Sequence, residues 1–402
     1  MNLVIKWFSS RTVRLALDLC KTVRKISRAQ QDILKPDALD ALRQACTDLR
    51  KTVDDGADTK AIKDEIGRFE NIANKHLRPY PSPGMRENVE VILVAIAVAM
   101  GIRTFFLQPF KIPTGSMQPT LFGITHQSFR NQPEVVFPTG LSAWVDSWFR
   151  GISYYHVVAE SSGSLDEVEP PKRVFPLVQK QRFRIGQTWY TVWFPPNDLF
   201  GGDYNRGGLF LGQSFEKDEE ILKLKVITGD HLFVDRMTYN FRKPTRGEII
   251  VFATEGVNGL PQDQFYIKRL VGLGGETVAI GNDRHTRING ERLDAATPRF
   301  EYVYTFSGPP DDSVFSGHVN EIVAVQYQRG GHRLAPLFRD ESYRVTIRTN
   351  HYMVFGDNTL NSRDSRDWGD FTRTNVIGKS AFVYWPILGQ KDRASRFGWS
   401  HR

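Results

Sequence analysis

The chain has 402 residues, of which 40% are hydrophobic, 12% aromatic and 24% charged, and this composition excludes an intrinsically disordered protein. The net charge of +8 is concentrated in residues 1–86, which hold 17 Lys and Arg against 11 Asp and Glu. The rest of the chain is nearly balanced, with 36 against 34. A nucleic-acid-binding domain would carry a basic patch, whereas the large C-terminal part of this chain is nearly neutral. The basic N-terminal part is instead typical of a segment at a cytoplasmic membrane face.

The first 28 residues interleave apolar positions with Lys and Arg at roughly helical spacing. The pattern predicts either a basic helix on an anionic membrane surface or one helix of a small bundle. No short apolar segment with a small-residue cleavage site follows, so no removable signal peptide is predicted. Cys20 and Cys46 both lie in this N-terminal fifth. That placement is typical of a reduced N-terminal side and predicts no disulfide framework or cysteine metal site.

Two further helices are predicted before residue 78. "KPDALDALRQACTDLRKTV" begins with a proline in its first turn and carries an apolar stripe, and "DTKAIKDEIGRFENIANKHL" repeats the helical period. Together they predict a helical hairpin. "RPYPSPG", residues 78–84, is a breaker and linker. Residues 1–86 are therefore interpreted as a cytoplasmic helical region.

The strongest apolar run is "VEVILVAIAVAMGIRTFFLQPF", in which 12 residues, 91–102, are strictly apolar. We interpret residues 89–108 as one transmembrane helix, with Glu90 and Arg103 near its ends. A buried core helix is the alternative. Because basic residues crowd its N-terminal side, the positive-inside rule places residues 1–86 in the cytoplasm and the following domain outside.

The sequence pattern of residues 109–402 is typical of an antiparallel β domain. Short apolar and aromatic runs such as "HLFVDRMTY", "EIIVFATE", "ETVAI", "YRVTIRT", "HYMVFGD" and "SAFVYW" are separated by Gly, Pro, Asn and Asp. Residues 123–225 are rich in aromatic residues, Pro and Gly, and we interpret them as a β-rich insertion. The predicted fold class is thus mainly β, preceded by one transmembrane helix and an N-terminal helical segment.

Three segments carry candidate chemistry. In "KIPTGSMQPTL", two prolines stiffen the backbone around Ser116, so its Oγ and backbone N–H can both face one carbonyl, with Thr114 as a second hydroxyl nearby. In "FYIKRLVGLGGETV", Lys268 interrupts an apolar strand, where lost hydration would favour a neutral amine that can act as a base. In "GDNTLNSRDSRDWGD", Ser362, Asp364 and Arg366 lie in a dense polar loop. Taken singly, these are also typical of a turn serine, an exposed strand lysine and a solvated loop.

Together the segments resemble type I signal peptidases, the membrane-bound Ser/Lys endopeptidases that remove leader sequences from exported proteins. The resemblance lies in "PTGSMQPTL", "GDHLFVDR", "YIKRLVGLGGETV" and "GDN…NSRDSRDWG", in the family's order and after an apolar segment. It covers residues 89–390 outside the insertions. The long insertion and the N-terminal 86 residues depart from the family's pattern.

The resemblance implies a role for each matching residue. Ser116 would be the nucleophile and Lys268 the general base, and Thr114 would donate to the oxyanion together with the Ser116 N–H. Ser362 would orient the lysine amine, and Asp364 with Arg366 would support that loop. The substrate strand would be flanked by Ile112, Pro113, Phe265, Tyr266 and Ile267.

The implied activity is cleavage of N-terminal signal peptides from preproteins with small residues at P1 and P3. The implied location is a bacterial inner membrane, with a single pass, a cytoplasmic N-terminus and an extracytoplasmic catalytic domain in contact with the lipid bilayer. No metal, cofactor or nucleic acid is implied, and the oligomeric state is not predicted.

Three other functions fit part of the pattern. A self-cleaving Ser/Lys repressor-type peptidase shares the dyad, but the apolar anchor and the lack of a helix-turn-helix segment oppose it. A membrane-anchored interaction protein without activity would not need both Ser116 and Lys268. A Ser-His-Asp hydrolase that uses His231 is the third alternative.

Overall fold

The computed structural model describes residues 10–78, 83–176, 178–202, 204–305, 316–327, 333–389 and 394–398. The chain divides into two units, residues 1–96 and 97–402.

Three amphipathic helices form the N-terminal unit's core. They are α1 (Arg11–Ala29), α2 (Pro36–Asp54) and α3 (Thr59–His76). Ser10 and Asp58 cap α1 and α3 by accepting bonds from the backbone N–H groups of Val13 and Ala61. The apolar side of α1 packs into the same cluster as α2 and α3. Of the two interpretations of residues 1–28, the structure therefore shows a bundle helix over residues 11–29, and residues 1–9 lie outside the described part.

Helix α4 (Pro83–Gly101) continues through a π-helical turn at Ile102–Phe106. Within the described residues, Gly84–Phe106 is the one helix that is long and apolar enough to cross a membrane. The predicted helix at 89–108 extends two residues too far, because Leu107 already begins a strand. Pro109 lies two residues further on, and the residue before it, Gln108, is driven out of helical geometry.

A seven-stranded antiparallel sheet carries the candidate site. Its strands are β1 (Leu107–Lys111), β10 (His231–Asp235), β11 (Ile249–Ala253), β12 (Phe265–Leu273), β17 (His351–Phe355), β18 (Phe371–Thr372) and β19 (Val376–Trp385). Their order across the sheet is β1-β10-β19-β11-β12-β17-β18.

This sheet curls into a half-barrel. Strands β1 and β12 are separated by three others in the sheet, yet the rings of Phe110 and Phe265 meet edge to face with centroids 5.6 Å apart. The enclosed space is filled by a cluster that includes Met117 and Leu121, both fully buried. The segment after β1 is therefore anchored inside the half-barrel by its own apolar side chains.

The remaining strands form smaller sheets. One has the order β15-β14-β13-β16, made of β13 (Thr277–Ile280), β14 (Thr286–Ile288), β15 (Glu291–Arg292) and β16 (Val345–Thr346). Another has the order β2-β9-β3, made of β2 (Thr125–Ser128), β3 (Ile152–Val158) and β9 (Glu220–Ile227). The last contains β4 (Gly163–Val168), β5 (Lys172–Phe175), β6 (Val178–Ile185), β7 (Thr188–Trp193) and β8 (Ser214–Phe215).

Short helices connect the strands. They are α5 (Gly140–Val145), followed by a π-helical turn at Asp146–Arg150, then α6 (Thr238–Phe241), α7 (Glu321–Val325), α8 (Ser365–Trp368) and a 3₁₀ turn at Arg373–Asn375.

Candidate active site

Ser116 is held on a short loop between β1 and the interior of the half-barrel. The N–H of Ile112 donates to the Asp230 carbonyl at 2.9 Å before the loop, and Met117 and Leu121 are buried after it. A Cβ on Gly123 would lie 2.1 Å from the carbonyl carbon and oxygen of Thr114, so only glycine allows this approach. Packing on both sides of Ser116 therefore fixes its position.

Lys268 reaches the serine from the middle of β12, opposite Ile250 of β11. Its side chain is only 4% exposed, and its Nζ lies 2.7 Å from Ser116 Oγ. That distance is a direct hydrogen bond between an amine and an alcohol. The two residues are 152 positions apart in the sequence, and the half-barrel brings them together.

Burial lowers the pKa of the Lys268 amine to about 8. The Asp364 and Asp357 carboxylates raise this pKa and the Arg366 guanidinium lowers it, but the loss of hydration dominates. With a pKa of about 8, roughly a fifth of the amine is neutral at pH 7.4, and this neutral form can accept a proton.

The turn after β17 clamps the serine backbone. Asn358 donates its backbone N–H to the Ser116 carbonyl at 3.1 Å and its side-chain amide to the Gly115 carbonyl at 3.0 Å. A Cβ on Gly356 would lie 2.5 Å from the Ser116 carbonyl oxygen, which explains the glycine that begins "GDN". The turn after β17 thus holds the Ser116 backbone through contacts from outside the serine's own loop.

Asp364 and Arg366 form a fully buried bidentate ion pair, with two N···O distances of 2.8 Å. Burial by itself would raise the pKa of Asp364, but Arg366 outweighs it and the pKa lies below its ordinary value. Asp364 also accepts the Gly356 N–H at 2.9 Å, and Arg366 donates to both the hydroxyl and the carbonyl of Thr359. The pair therefore holds both ends of the polar loop together.

Ser362 lies in the same loop, but the structure does not show the expected hydrogen bond to Lys268. Its Oγ is buried and has no hydrogen-bond partner of normal geometry among the described residues. The hydroxyl is directed at Gly356, where an added Cβ would lie 2.1 Å from it. The sequence motif placed Ser362 in the right loop, whereas its rotamer depends on local packing.

A cleft of about 1010 Å³ contains these groups. Its lining includes Ser116, Lys268, Thr114 and Ser362, together with all five predicted substrate-flanking residues, Ile112, Pro113, Phe265, Tyr266 and Ile267. Asp364 and Arg366 lie behind the wall, fully buried. Among the described lining residues there is no histidine. His231, the alternative base, pairs with Lys111 in the sheet, and burial lowers its pKa to about 4.

The sequence model of the family described as "Signal peptidase, peptidase S26" matches residues 85–129 and 209–385, which is more than half of the chain. The chain belongs to this family. The match contains the serine loop, the lysine strand and the polar loop, so the resemblance drawn from the motifs is confirmed.

Individual signal peptidases are similar over part of their length. Signal peptidase I of Leptolyngbya laminosa is 32% identical over 161 residues, which cover 39% of this chain and 61% of that protein. The probable signal peptidase I-2 of Synechocystis sp. is 28% identical, covering 39% and 56%. Signal peptidase I of Pseudomonas aeruginosa is 28% identical, covering 48% and 72%. The chain thus spans about three fifths of the first two relatives.

A crystal structure of a signal peptidase I from Enterococcus faecalis is 25% identical and covers 34% of this chain and 97% of that one. Its TM-score of 0.22 is too low to support an argument about the fold.

Sequence reasoning missed a second buried ion pair in this signal peptidase family member. Arg269 is 1% exposed and Asp357 is fully buried, and their two N···O distances are 2.7 and 2.6 Å. Asp357 also accepts the Thr120 hydroxyl at 2.5 Å. One carboxylate therefore joins the polar turn, the lysine strand and the serine loop. The available signal was that each of these residues lies inside a matched motif, next to Lys268, Gly356 or Pro119.

The cleft also offers strand edges without partners. Strand β17 pairs with β12 only from Arg269 onward, so Phe265–Lys268 have β11 on one side and no strand on the other among the described residues. Strand β1 lies at the end of its sheet. An extended peptide can add to such edges through main-chain hydrogen bonds.

Proposed function

We propose that this protein is a membrane-bound serine endopeptidase that cleaves N-terminal signal peptides from exported preproteins. The observation that carries the proposal is the 2.7 Å contact between a buried, desolvated lysine amine and Ser116 Oγ at the floor of a cleft. Family membership supports the substrate class, because the similar curated proteins are named signal peptidases.

In the proposed reaction, the neutral Lys268 amine accepts the Ser116 hydroxyl proton while Oγ attacks the scissile carbonyl carbon. The oxyanion that forms would accept hydrogen bonds from the Ser116 N–H and the Thr114 hydroxyl, both placed at the cleft. The Lys268 ammonium then gives its proton to the leaving amine. Neutral again, the amine removes a proton from water, which attacks the ester carbonyl and releases Ser116.

Three further residues would keep the dyad in place. We assign Ser362 as a positioning residue for the Lys268 amine, reached by a change of its χ1 rotamer. It lines the cleft, and its hydroxyl has no hydrogen-bond partner of normal geometry among the described residues. Asp364 and Arg366 would support the loop through their buried pair. None of the three needs to touch the substrate.

The substrate would lie as an extended segment between two unpaired edges. Phe265, Tyr266 and Ile267 would flank it on the β12 side, and Ile112 and Pro113 on the other. Small side chains at P1 and P3 would suit the apolar floor between them. The predicted transmembrane segment at residues 89–108, within or next to the apolar helix Gly84–Phe106, would span a bacterial inner membrane in contact with lipid. Residues 1–86 would then lie in the cytoplasm and residues 109–402 outside.

We also propose that residues 123–225 are a β-rich insertion into the peptidase domain. Strands β2–β9 lie in or at the end of this range, and the family's sequence model passes over residues 130–208.

The test uses the full chain in detergent and a peptide with Ala at P1 and P3. Ser116→Ala should lower kcat about 10⁴-fold or more, because it removes the nucleophile. Lys268→Arg should lower kcat by a similar factor, because the guanidinium of arginine does not deprotonate in this pH range. Lys243→Arg is the control, since Lys243 is exposed and does not line the cleft. Cleavage by Lys268→Arg at the wild-type rate would exclude the lysine as the base.

A further inference from the structure

Tyr204 lines the same cleft as Ser116 and Lys268, although it lies in residues 130–208, which the family's sequence model does not match. The residue is 45% exposed, so about half of its surface is packed against protein. We propose that Tyr204 is a specificity-determining residue, a wall that limits the size of the substrate side chain placed against Ile112 and Pro113. The inference rests on the proposed peptidase function and assigns part of the insertion a role in it.

The Tyr204 ring rests on a rigid support. The guanidinium carbon of Arg206 lies 4.6 Å from the ring centroid, and Arg206 is only 3% exposed. Its Nε donates to the Asn197 carbonyl at 3.0 Å, and its Nη1 lies 3.4 Å from the Ile124 carbonyl and 3.1 Å from His126 Nδ1. A buried guanidinium whose Nε and Nη1 are both engaged cannot move without breaking these hydrogen bonds, so it supports the ring that lies against it.

The Arg206 side chain is also connected to the segment that would flank the substrate. Ile124, which accepts from Arg206, donates its own N–H to the Pro113 carbonyl at 3.2 Å. Next to it, Gly123 packs directly against the backbone of Thr114. Tyr204 and the Ile112–Thr114 segment are therefore connected through the contact of the ring with Arg206 and two hydrogen bonds, which restrict how far they can move apart.

The loop that carries Tyr204 is itself anchored. The backbone N–H of Arg206 donates to the Asp198 carbonyl at 2.7 Å, and that of Gly207 donates to the Leu199 carbonyl at 2.8 Å. Leu199 and Leu209 are buried in the cluster formed by β4–β9. The aromatic wall thus rests on a packed core, as a size filter must.

The chemistry of this wall indicates what it selects. Ile112, Pro113 and the face of the Tyr204 ring present apolar surface, so the occupant is an aliphatic side chain of an extended peptide. A ring at a fixed distance excludes larger side chains by steric overlap. Removing the ring should widen the space and admit them.

The test measures kcat/KM for a peptide series in which each of the four residues before the scissile bond is changed in turn from Ala to Leu or Phe. The proteins are wild type, Tyr204→Ala, Tyr204→Phe and, as a matched control, Phe210→Ala. Phe210 is an exposed aromatic residue of the same insertion, 68% exposed and not among the cleft residues. Melting temperatures confirm folding, and Tyr204→Leu replaces Tyr204→Ala if the latter unfolds.

At one or more positions, Tyr204→Ala should raise kcat/KM for the bulky peptide relative to the Ala parent by about tenfold, the range that pocket contacts supply. Tyr204→Phe and Phe210→Ala should keep the wild-type profile. A Tyr204→Ala profile that matches wild type at all four positions would overturn the proposal while leaving the peptidase function intact. Failure of the wild-type protein to cleave the parent peptide would overturn the proposed function and this inference with it.

Discussion

The surroundings of Lys268 disfavour the charged form of its amine. The amine is 4% exposed and hydrogen-bonded to Ser116, and burial lowers its pKa from 10.5 to about 8. Because the unfolded chain binds a proton more tightly than the folded one, a charged Lys268 destabilises the native state. This penalty is fully present below about pH 8 and disappears as the pH rises toward 10.5.

Replacing Lys268 by Met should therefore abolish cleavage yet raise the free energy of unfolding at pH 7 by about 1–3 kcal/mol. Denaturant unfolding in detergent measures this gain, which should shrink as the pH is raised above 8. Lys223→Met is the matched control, because Lys223 is equally buried but is bound to Glu220 at 2.7 Å and to the Gln132 carbonyl. That variant should be less stable than wild type. A Lys268→Met protein less stable than wild type at pH 7 would contradict this view of the amine.

The residues that sequence analysis identified differ from those that it missed in whether a pattern in the neighbouring sequence marks them. Ser116 and Lys268 could be assigned because their segments, taken together and in order, resemble one family, although each segment alone is typical of a turn or an exposed strand. Arg269 and Asp357 look like ordinary surface charges in the sequence, and only the fold shows that both are buried and paired. The rotamer of Ser362 depends on Gly356 and Ser116, which no local pattern reveals.

At the scale of elements, one carboxylate connects three segments of the half-barrel. Asp357 in the turn after β17 bonds to Arg269 of β12 and to Thr120 of the serine loop. The lysine strand, the polar turn and the nucleophile loop are thereby held in one register. Buried pairs of this kind are costly to break from one side, because the partner is left as an uncompensated buried charge.

We expect Asp357→Asn to lower the free energy of unfolding by about 3–5 kcal/mol and to reduce kcat, since Arg269 would lose its counter-charge. The double variant Arg269→Met with Asp357→Leu should recover much of the stability. Equilibrium unfolding of both proteins tests this coupling, with Asp263→Asn, at an exposed position, as the control. Equal stability of Asp357→Asn and wild type would show that the pair does not hold the segments together.

Most strands could be predicted from alternating apolar runs, and β11, β12, β13 and β17 lie within the expected segments. The strands in "HLFVDRMTY" and "YRVTIRT" are both shorter than the patterns suggest. In "HLFVDRMTY" the strand stops at Asp235, because that carboxylate accepts the N–H groups of Met237 and Thr238 and starts a helical turn. The curl that brings β1 to β12 could not be predicted, since it depends on contacts more than 100 residues apart.

At the scale of the whole molecule, a basic helical unit precedes one exposed apolar helix. Side chains such as Val91 and Met100 are 61% and 62% exposed along α4, so the described part of the chain leaves them largely uncovered. In the membrane location that we propose, lipid would surround these side chains. The basic excess in residues 1–86 then predicts which side of the membrane that unit occupies.

The orientation is testable with single cysteines in intact cells. A membrane-impermeant maleimide should label Glu216→Cys in the peptidase domain but label Lys63→Cys on α3 only after the cells are lysed. Both native cysteines are buried, so the unmodified chain serves as the background control. Labelling of Lys63→Cys in intact cells would reverse the topology.

The most direct test of the Ser116–Lys268 chemistry is the pH dependence of kcat/KM for the Ala-containing peptide. If the neutral amine is the base, log kcat/KM rises with a slope of one up to a pKa of about 8 and is level above it. Lys268→Arg should remain inactive at every pH. A kcat/KM that stays constant from pH 6 to 10 in the folded wild-type protein would contradict a lysine base.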